Sequence, residues 1–147
     1  LEDSSSYQTF NNAFMNALSP TSDQAIDERM AKFRGNNSMK QYVRDKPILR
    51  GFKHWCRNDS ATGYLFQFDI YVGRKENTEH GLSEGVVLNL SRSLENMNKR
   101  IFIDNFYTSP TLLFKLKAIS IFATYTVRNN RNGLPKNIIP YKSMKGG

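Results

Sequence analysis

Apolar side chains recur along this chain at two spacings, every second residue in some stretches and every third or fourth in others. The switches between them outline a mixed α/β fold. Tyr7, Phe10, Phe14 and Leu18 fall three or four apart and predict a short amphipathic helix that ends before Pro20. Residues 24–33 read as a first strand carrying Asp27, followed by the polar break Arg34-Gly35-Asn36-Asn37-Ser38, and Pro47 closes the short segment after it. Residues 51–57 predict a second strand, 58–63 a turn and 64–72 a third strand. In that third strand Tyr64, Phe66, Phe68 and Ile70 alternate with Leu65, Gln67, Asp69 and Tyr71, one apolar face and one mixed, with Asp69 expected to face solvent.

Helical spacing returns with Val86, Val87, Leu90 and Leu94, with Ser83 as the expected cap. Residues 100–103 form a fourth predicted strand that stops at Asp104. Ser109-Pro110 then opens a helix, because proline at the first helical position gives up no hydrogen bond, and Leu112, Leu113, Leu116 and Ile119 supply its buried side. Residues 121–127, β-branched and aromatic, predict a fifth strand. Gly51, Gly63 and Gly73 read as turn residues. The order strand-strand-strand-helix-strand-helix-strand describes an α/β layer with a mixed sheet that begins as three antiparallel strands.

At 147 residues the chain suits one core rather than two. The absence of any long apolar run argues against a membrane-spanning segment, and no charged-then-apolar leader opens the sequence. Cys56 is alone, which excludes an intrachain disulfide and a cysteine-rich zinc site. His54 and His80 have no Cys or Asp at ligand spacing, and no glycine-rich phosphate loop or nucleophile motif is present.

The formal net charge of +8 is unevenly placed. Residues 1–91 hold eleven basic and eleven acidic side chains, whereas residues 92–147 hold ten basic ones against Glu95 and Asp104 alone. That imbalance favours a polyanionic partner for the C-terminal half. Arg128, Arg131 and Lys136, in an Asn- and Gly-containing loop, are the candidate phosphate contacts; an ordinary exposed loop is the plainer reading. Trp55, Tyr64, Phe66 and Phe68 read as sheet packing rather than base-stacking platforms.

The candidate chemistry lies in Asp27 and Asp104, each set among apolar neighbours on or at the end of a strand. If the two strands are neighbours, their carboxylates can share a divalent cation such as Mg²⁺, with Mn²⁺ as a substitute, and support phosphodiester cleavage. Separately, each aspartate is equally readable as a turn or cap residue. Glu28, alternating to the other face, is the weaker ligand.

The same residues carry a resemblance. Ala25-Ile26-Asp27-Glu28-Arg29-Met30 with Lys32-Phe33-Arg34-Gly35, then Lys40-Gln41-Tyr42, Lys46-Pro47 and Gly51-Phe52-Lys53-His54-Trp55, are similar in order and spacing to the piggyBac superfamily of transposases. Thr62-Gly63-Tyr64, Tyr71-Val72-Gly73, Ile103-Asp104-Asn105-Phe106-Tyr107-Thr108-Ser109-Pro110 and the block from Thr124 to Pro135 continue the match, which runs from about Asp23 to Lys145.

The resemblance implies a ribonuclease-H-like α/β fold, incomplete at the C-terminus, with residues 1–20 as a helix or linker from a preceding domain and 21–147 as a partial transposase domain. It further implies a nuclear DNA transposase with three metal-binding aspartates, acting on transposon ends and TTAA-type targets, with a homodimer built through segments outside this sequence. Asp27 and Asp104 take the places of the first two metal ligands. No acidic residue follows Asp104, so the third has no counterpart here. Ala25 stands where the family commonly has serine. A domesticated DNA-binding protein without chemistry, and a protein-interaction module, are the competing expectations.

Overall fold

A computed structural model describes residues 4–44, 46–73, 81–127 and 133. The elements follow in the order α1 (Ser4–Ala17), β1 (Asp23–Lys32), β2 (Gln41–Tyr42), β3 (Arg50–Asp59), β4 (Leu65–Ile70), α2 (Leu82–Ser91), β5 (Lys99–Ile103), α3 (Pro110–Ala118) and β6 (Ile121–Tyr125). The strands make one mixed sheet in the order β2-β3-β1-β5-β6, and β4 pairs with β3 along the same edge as β2. β1, β3 and β4 are antiparallel, whereas β1-β5 and β5-β6 are parallel, each reached through a helix-containing connection.

Alternation along the central strands sends Gln24 and Ile26 of β1, Trp55 and Arg57 of β3, and Ile101 and Ile103 of β5 to one face. Val87, Leu90 and Leu94 from the α2 segment and Leu112 and Leu116 from α3 close over it, all fully buried. Each such aliphatic side chain contributes about 1.5–3 kcal/mol by leaving water. The guanidinium of Arg57 lies inside this layer, 1% exposed. It donates to Gln24 Oε1 at 3.2 Å and Ser93 Oγ at 2.9 Å and sits over the Phe66 ring. Burial pulls its pKa down to about 10.

α1 packs against β4. Phe14 and Tyr7 meet Phe68, and the Asn11 side chain pairs with the Phe68 main chain, donating to its carbonyl at 2.8 Å and accepting from its N–H at 2.9 Å. Asn11 thereby occupies hydrogen-bonding groups on an otherwise open strand edge.

α3 starts as its sequence predicts. Ser109 is the N-cap, its hydroxyl accepts from Leu112 N–H at 3.0 Å, and Pro110 takes the first helical position. Four details differ from the sequence reading. Gly81, not Ser83, is the cap of α2, so Ser83 lies inside the helix. Gly51 is not a turn residue: it sits in β3 opposite Lys32, where a Cβ would lie 1.9 Å from the Ala31 carbonyl oxygen. Gly63 and Gly73, by contrast, hold φ of +73° and +109° and do turn the chain. Asp69 is half-buried rather than solvent-facing, since its register partner Trp55 lies on the helix-covered side. β2, only two residues long, is an element that periodicity does not reveal.

Candidate carboxylate site

β1 and β5 run parallel with Asp23 opposite Arg100 and Ile26 opposite Ile103 as the first and last paired positions. A two-pronged ion pair holds the start of this register, Arg100 Nε and Nη2 reaching Asp23 Oδ1 and Oδ2 at 2.6 and 2.8 Å. Asp27 and Asp104 are the next residues after the last pair. Adjacent strands lie ~4.8 Å apart, so carboxylates at neighbouring positions on one face are within reach of a common cation.

Both aspartates belong to the face away from α2 and α3. Ile26 and Ile103 point into the core, and the following residue in each strand points out. Asp27 and Asp104 are both exposed. Each spends Oδ1 on the next amide: Glu28 N–H donates to Asp27 at 2.7 Å and Asn105 N–H to Asp104 at 2.6 Å. β6 extends the same row, because Ile103 faces Tyr125 and the hydroxyl of Thr126 donates to Asp104 Oδ1 at 2.9 Å. Thr108 Oγ1, 3.1 Å from the main-chain oxygens of both Asp104 and Thr126, ties the turn after β5 to the end of β6.

On the opposite face Glu28 sits half-buried beside Tyr107, across from Trp55. Tyr107 Oη donates to Glu28 Oε2 at 3.3 Å, and Lys46 Nζ lies 3.1 Å from Glu28 Oε1. Burial pushes the Glu28 carboxyl up, but the Lys46 ammonium and the neighbouring Asp27 outweigh it and hold Glu28 below its ordinary value. Asp27 moves the other way. Burial raises its pKa, the Glu28 N–H opposes this, and the Glu28 carboxylate, by hydrogen bond and by charge, adds to it. A carboxylate held up in this way gains from a nearby cation. Burial, followed by the charges of Glu28 and Asp27, raises Tyr107 far above the usual phenol value, so its hydroxyl stays a donor.

The oxygen-only donors of Asp27 and Asp104 suit a hard divalent cation, Mg²⁺ or Mn²⁺. Two carboxylates alone do not enclose one, and among the described residues no three His, Cys, Asp or Glu side chains come together as a metal-binding group. His54 is half-buried with its ring edge against Phe68, and burial followed by the Arg29 charge lowers its pKa, as befits a packing residue. Cys56 is buried, and its thiol is raised chiefly by that burial. Arg128, Arg131, Lys136 and His80 lie outside the described residues. Sequence reasoning missed Tyr107, Lys46 and Thr126. All three lie within the blocks that carry the family resemblance, where none was assigned a role.

The architecture is the mixed-sheet, ribonuclease-H-like α/β fold. In a piggyBac transposase synaptic complex with hairpin DNA, solved by cryo-electron microscopy, the matching region superposes with a TM-score of 0.84 at 27% identity, covering 95% of this chain and 30% of that one. The family described as transposase IS4 matches residues 5–147, and the chain belongs to this family. Human piggyBac transposable element-derived protein 3 is 36% identical over 112 residues, 72% of this chain, and human piggyBac transposable element-derived protein 2 is 32% identical over 113 residues, 73% of this chain. The chain spans 19% of the length of each of these two relatives.

Proposed function

We propose that this chain supplies the first two carboxylates of a metal-dependent DNA-cleaving and strand-transferring site, Asp27 and Asp104, within a longer transposase. The observation that carries this reading is their position, one residue beyond the last pair of two adjacent parallel strands, exposed on the face of the sheet away from α2 and α3. When bound there, Mg²⁺ would polarise a water or hydroxyl and neutralise charge on a phosphate oxygen. Asp27 and Asp104 would hold the cation, and Thr126 would orient Asp104 through its hydroxyl. The third carboxylate that the family resemblance implies has no counterpart after Asp104 in these 147 residues.

DNA is the partner this reading requires, and the piggyBac transposase of the cryo-electron microscopy structure is held in a synaptic complex with hairpin DNA. Surface charge favours the same partner. Lys32, Arg34, Lys40 and Arg50 line an open groove of about 540 Å³ together with Phe33, Tyr42 and Leu49, and Arg50 stacks on the Tyr42 ring at 5.5 Å. Between Arg29 and Arg57 the sequence holds nine basic residues and only Asp45 as an acid, a run hidden by the overall balance of residues 1–91. Phosphate contacts of this kind weaken steeply with salt. Arg128, Arg131 and Lys136 would extend the basic surface, and TTAA-type targets, a nuclear location and assembly as a homodimer complete the proposal.

A second reading is a DNA-binding protein that keeps the fold and has lost the chemistry. It is favoured by the two relatives, both transposable element-derived proteins. Mg²⁺-dependent nicking of DNA carrying candidate element ends by the full-length protein decides between them. Activity lost at least ~100-fold in both Asp27→Asn and Asp104→Asn, with folding retained, supports the enzyme. Salt-sensitive DNA binding without nicking in Mg²⁺ or Mn²⁺ supports the second reading.

A further inference from the structure

Beyond Ile26 and Ile103 the β1-β5 ladder stops, although β1 runs on to Lys32 paired with β3, so pairing between β1 and β5 no longer fixes how far Asp27 stands from Asp104. This is where Asp27 and Asp104 lie. A cation bound by both requires a set separation, because oxygen ligands of Mg²⁺ sit at ~2.0–2.1 Å from the metal with little tolerance. A contact that joins β1 to the turn after β5 would hold that separation directly.

The residues for this are present and lie on the buried side of the same strand ends. Glu28 follows Asp27 directly, and Tyr107 closes the turn that Asp104 begins, its N–H donating to the Asp104 carbonyl at 3.1 Å. Tyr107 is 1% exposed, with its ring against Phe106 at 5.1 Å. From that fixed position its hydroxyl reaches Glu28 Oε2, while Lys46, arriving from the segment between β2 and β3, takes Glu28 Oε1. Lys53 Nζ sits over the rings of both Phe106 and Trp55, at 5.4 and 5.8 Å, and packs the turn against β3. One side chain, Glu28, thus joins the strand carrying Asp27 to the turn carrying Asp104.

We infer that Tyr107 and Lys46 are positioning residues, which grip Glu28 from two sides and so set the separation of the Asp27 and Asp104 carboxylates. This inference rests on the proposal that those two aspartates bind a divalent cation. Glu28 is then a strut rather than a ligand, which explains an acid placed among core residues with both of its oxygens already engaged. A device of this type acts on metal affinity: mutation of groups that orient metal ligands typically lowers affinity by 10–100-fold.

The test uses the full-length protein with Tyr107→Phe, Lys46→Met and Asp27→Asn. Three quantities are measured: Mn²⁺ affinity by titration calorimetry without DNA, the Mg²⁺ concentration giving half-maximal nicking, and the melting temperature in chelator. Tyr107→Phe keeps the ring and its packing, and Lys46→Met keeps the alkyl stem, so the second variant stands if the first fails to fold. The expected result is that both weaken Mn²⁺ binding about tenfold and raise the half-maximal Mg²⁺ to match, with nicking largely restored at saturating metal. Equal metal affinity in wild type and both variants, alongside loss of binding in Asp27→Asn, overturns the positioning role and leaves the aspartate site standing. Unchanged metal binding in Asp27→Asn itself overturns the aspartate site, and the positioning role with it. A lowered melting temperature with unchanged metal affinity marks the contacts as structural only and also overturns the inference.

Discussion

Asp23 and Arg100 form a two-pronged ion pair across the start of the parallel β1-β5 ladder, four residues before Asp27 and Asp104 on the same strands. The pair is partly exposed, and exposed ion pairs contribute at most ~1 kcal/mol to stability. Its larger effect is on register. A slip of one residue would turn either Asp27 or Asp104 to the other face of the sheet and separate the carboxylates. Arg100→Ala is therefore expected to leave the melting temperature within a few degrees of wild type while reducing Mg²⁺-dependent nicking. Nicking assays over a range of Mg²⁺ concentrations, run beside thermal melts, measure both effects.

Asn11 is the side chain that closes part of the β4 edge, through two hydrogen bonds to Phe68. Asn11→Ala leaves both main-chain groups without this partner and is expected to cost ~1–3 kcal/mol in denaturant unfolding. Because the uncovered edge is a template for strand pairing, the variant should also self-associate more readily than wild type in light scattering.

Asp59 organises the β3-β4 turn. Thr21 donates a hydrogen bond to its Oδ2, and Ala61 N–H, Thr62 N–H and the Thr62 hydroxyl converge on Oδ1 at 3.0, 2.9 and 3.0 Å. Thr21, then Thr62, hold its carboxyl down to about 2. A carboxylate depressed in the folded state adds stability above its unfolded pKa of ~3.9, and that stability drains away as pH falls towards 2. Asp59→Asn removes this titration, so its unfolding free energy should vary less between pH 4 and 2 than that of wild type. Urea melts across that window compare the two directly.

Gly51→Ala should be among the most disruptive small substitutions in the chain. The new methyl would meet the main-chain carbonyl of Ala31, not a side chain that can swing away. Relief requires β1 and β3 to part at their Gly51-Lys32 end, at a cost towards the upper end of ~1–3 kcal/mol. Urea unfolding of the purified variant provides the measurement.

Much of the fold is legible in the sequence, for physical reasons that particular residues illustrate. Strand β4 announces itself through alternation and β6 through β-branched and aromatic content, and Ser109-Pro110 marks a helix start because both residues act locally. β2 is too short to have a period. Gly51 carries the same letter as the turn glycines Gly63 and Gly73, and only the approach of Ala31 across the sheet distinguishes it. The two aspartates stand out as acids at apolar strand ends, but their adjacency needs the β1-β5 register. The hydrogen bond from Tyr107 to Glu28 spans 79 residues of sequence, so no local pattern reports it.

Whether Asp27 and Asp104 share a cation is tested by replacing Mg²⁺ with Fe²⁺ in the full-length protein. Ascorbate and peroxide then generate hydroxyl radicals, which cut the polypeptide only beside the bound metal. Two cuts are expected, one near residue 27 and one near residue 104, both suppressed by excess Mg²⁺ and both lost in Asp27→Asn. Cutting confined to other parts of the chain, or cutting at these positions that survives in Asp27→Asn, would contradict a cation shared by Asp27 and Asp104.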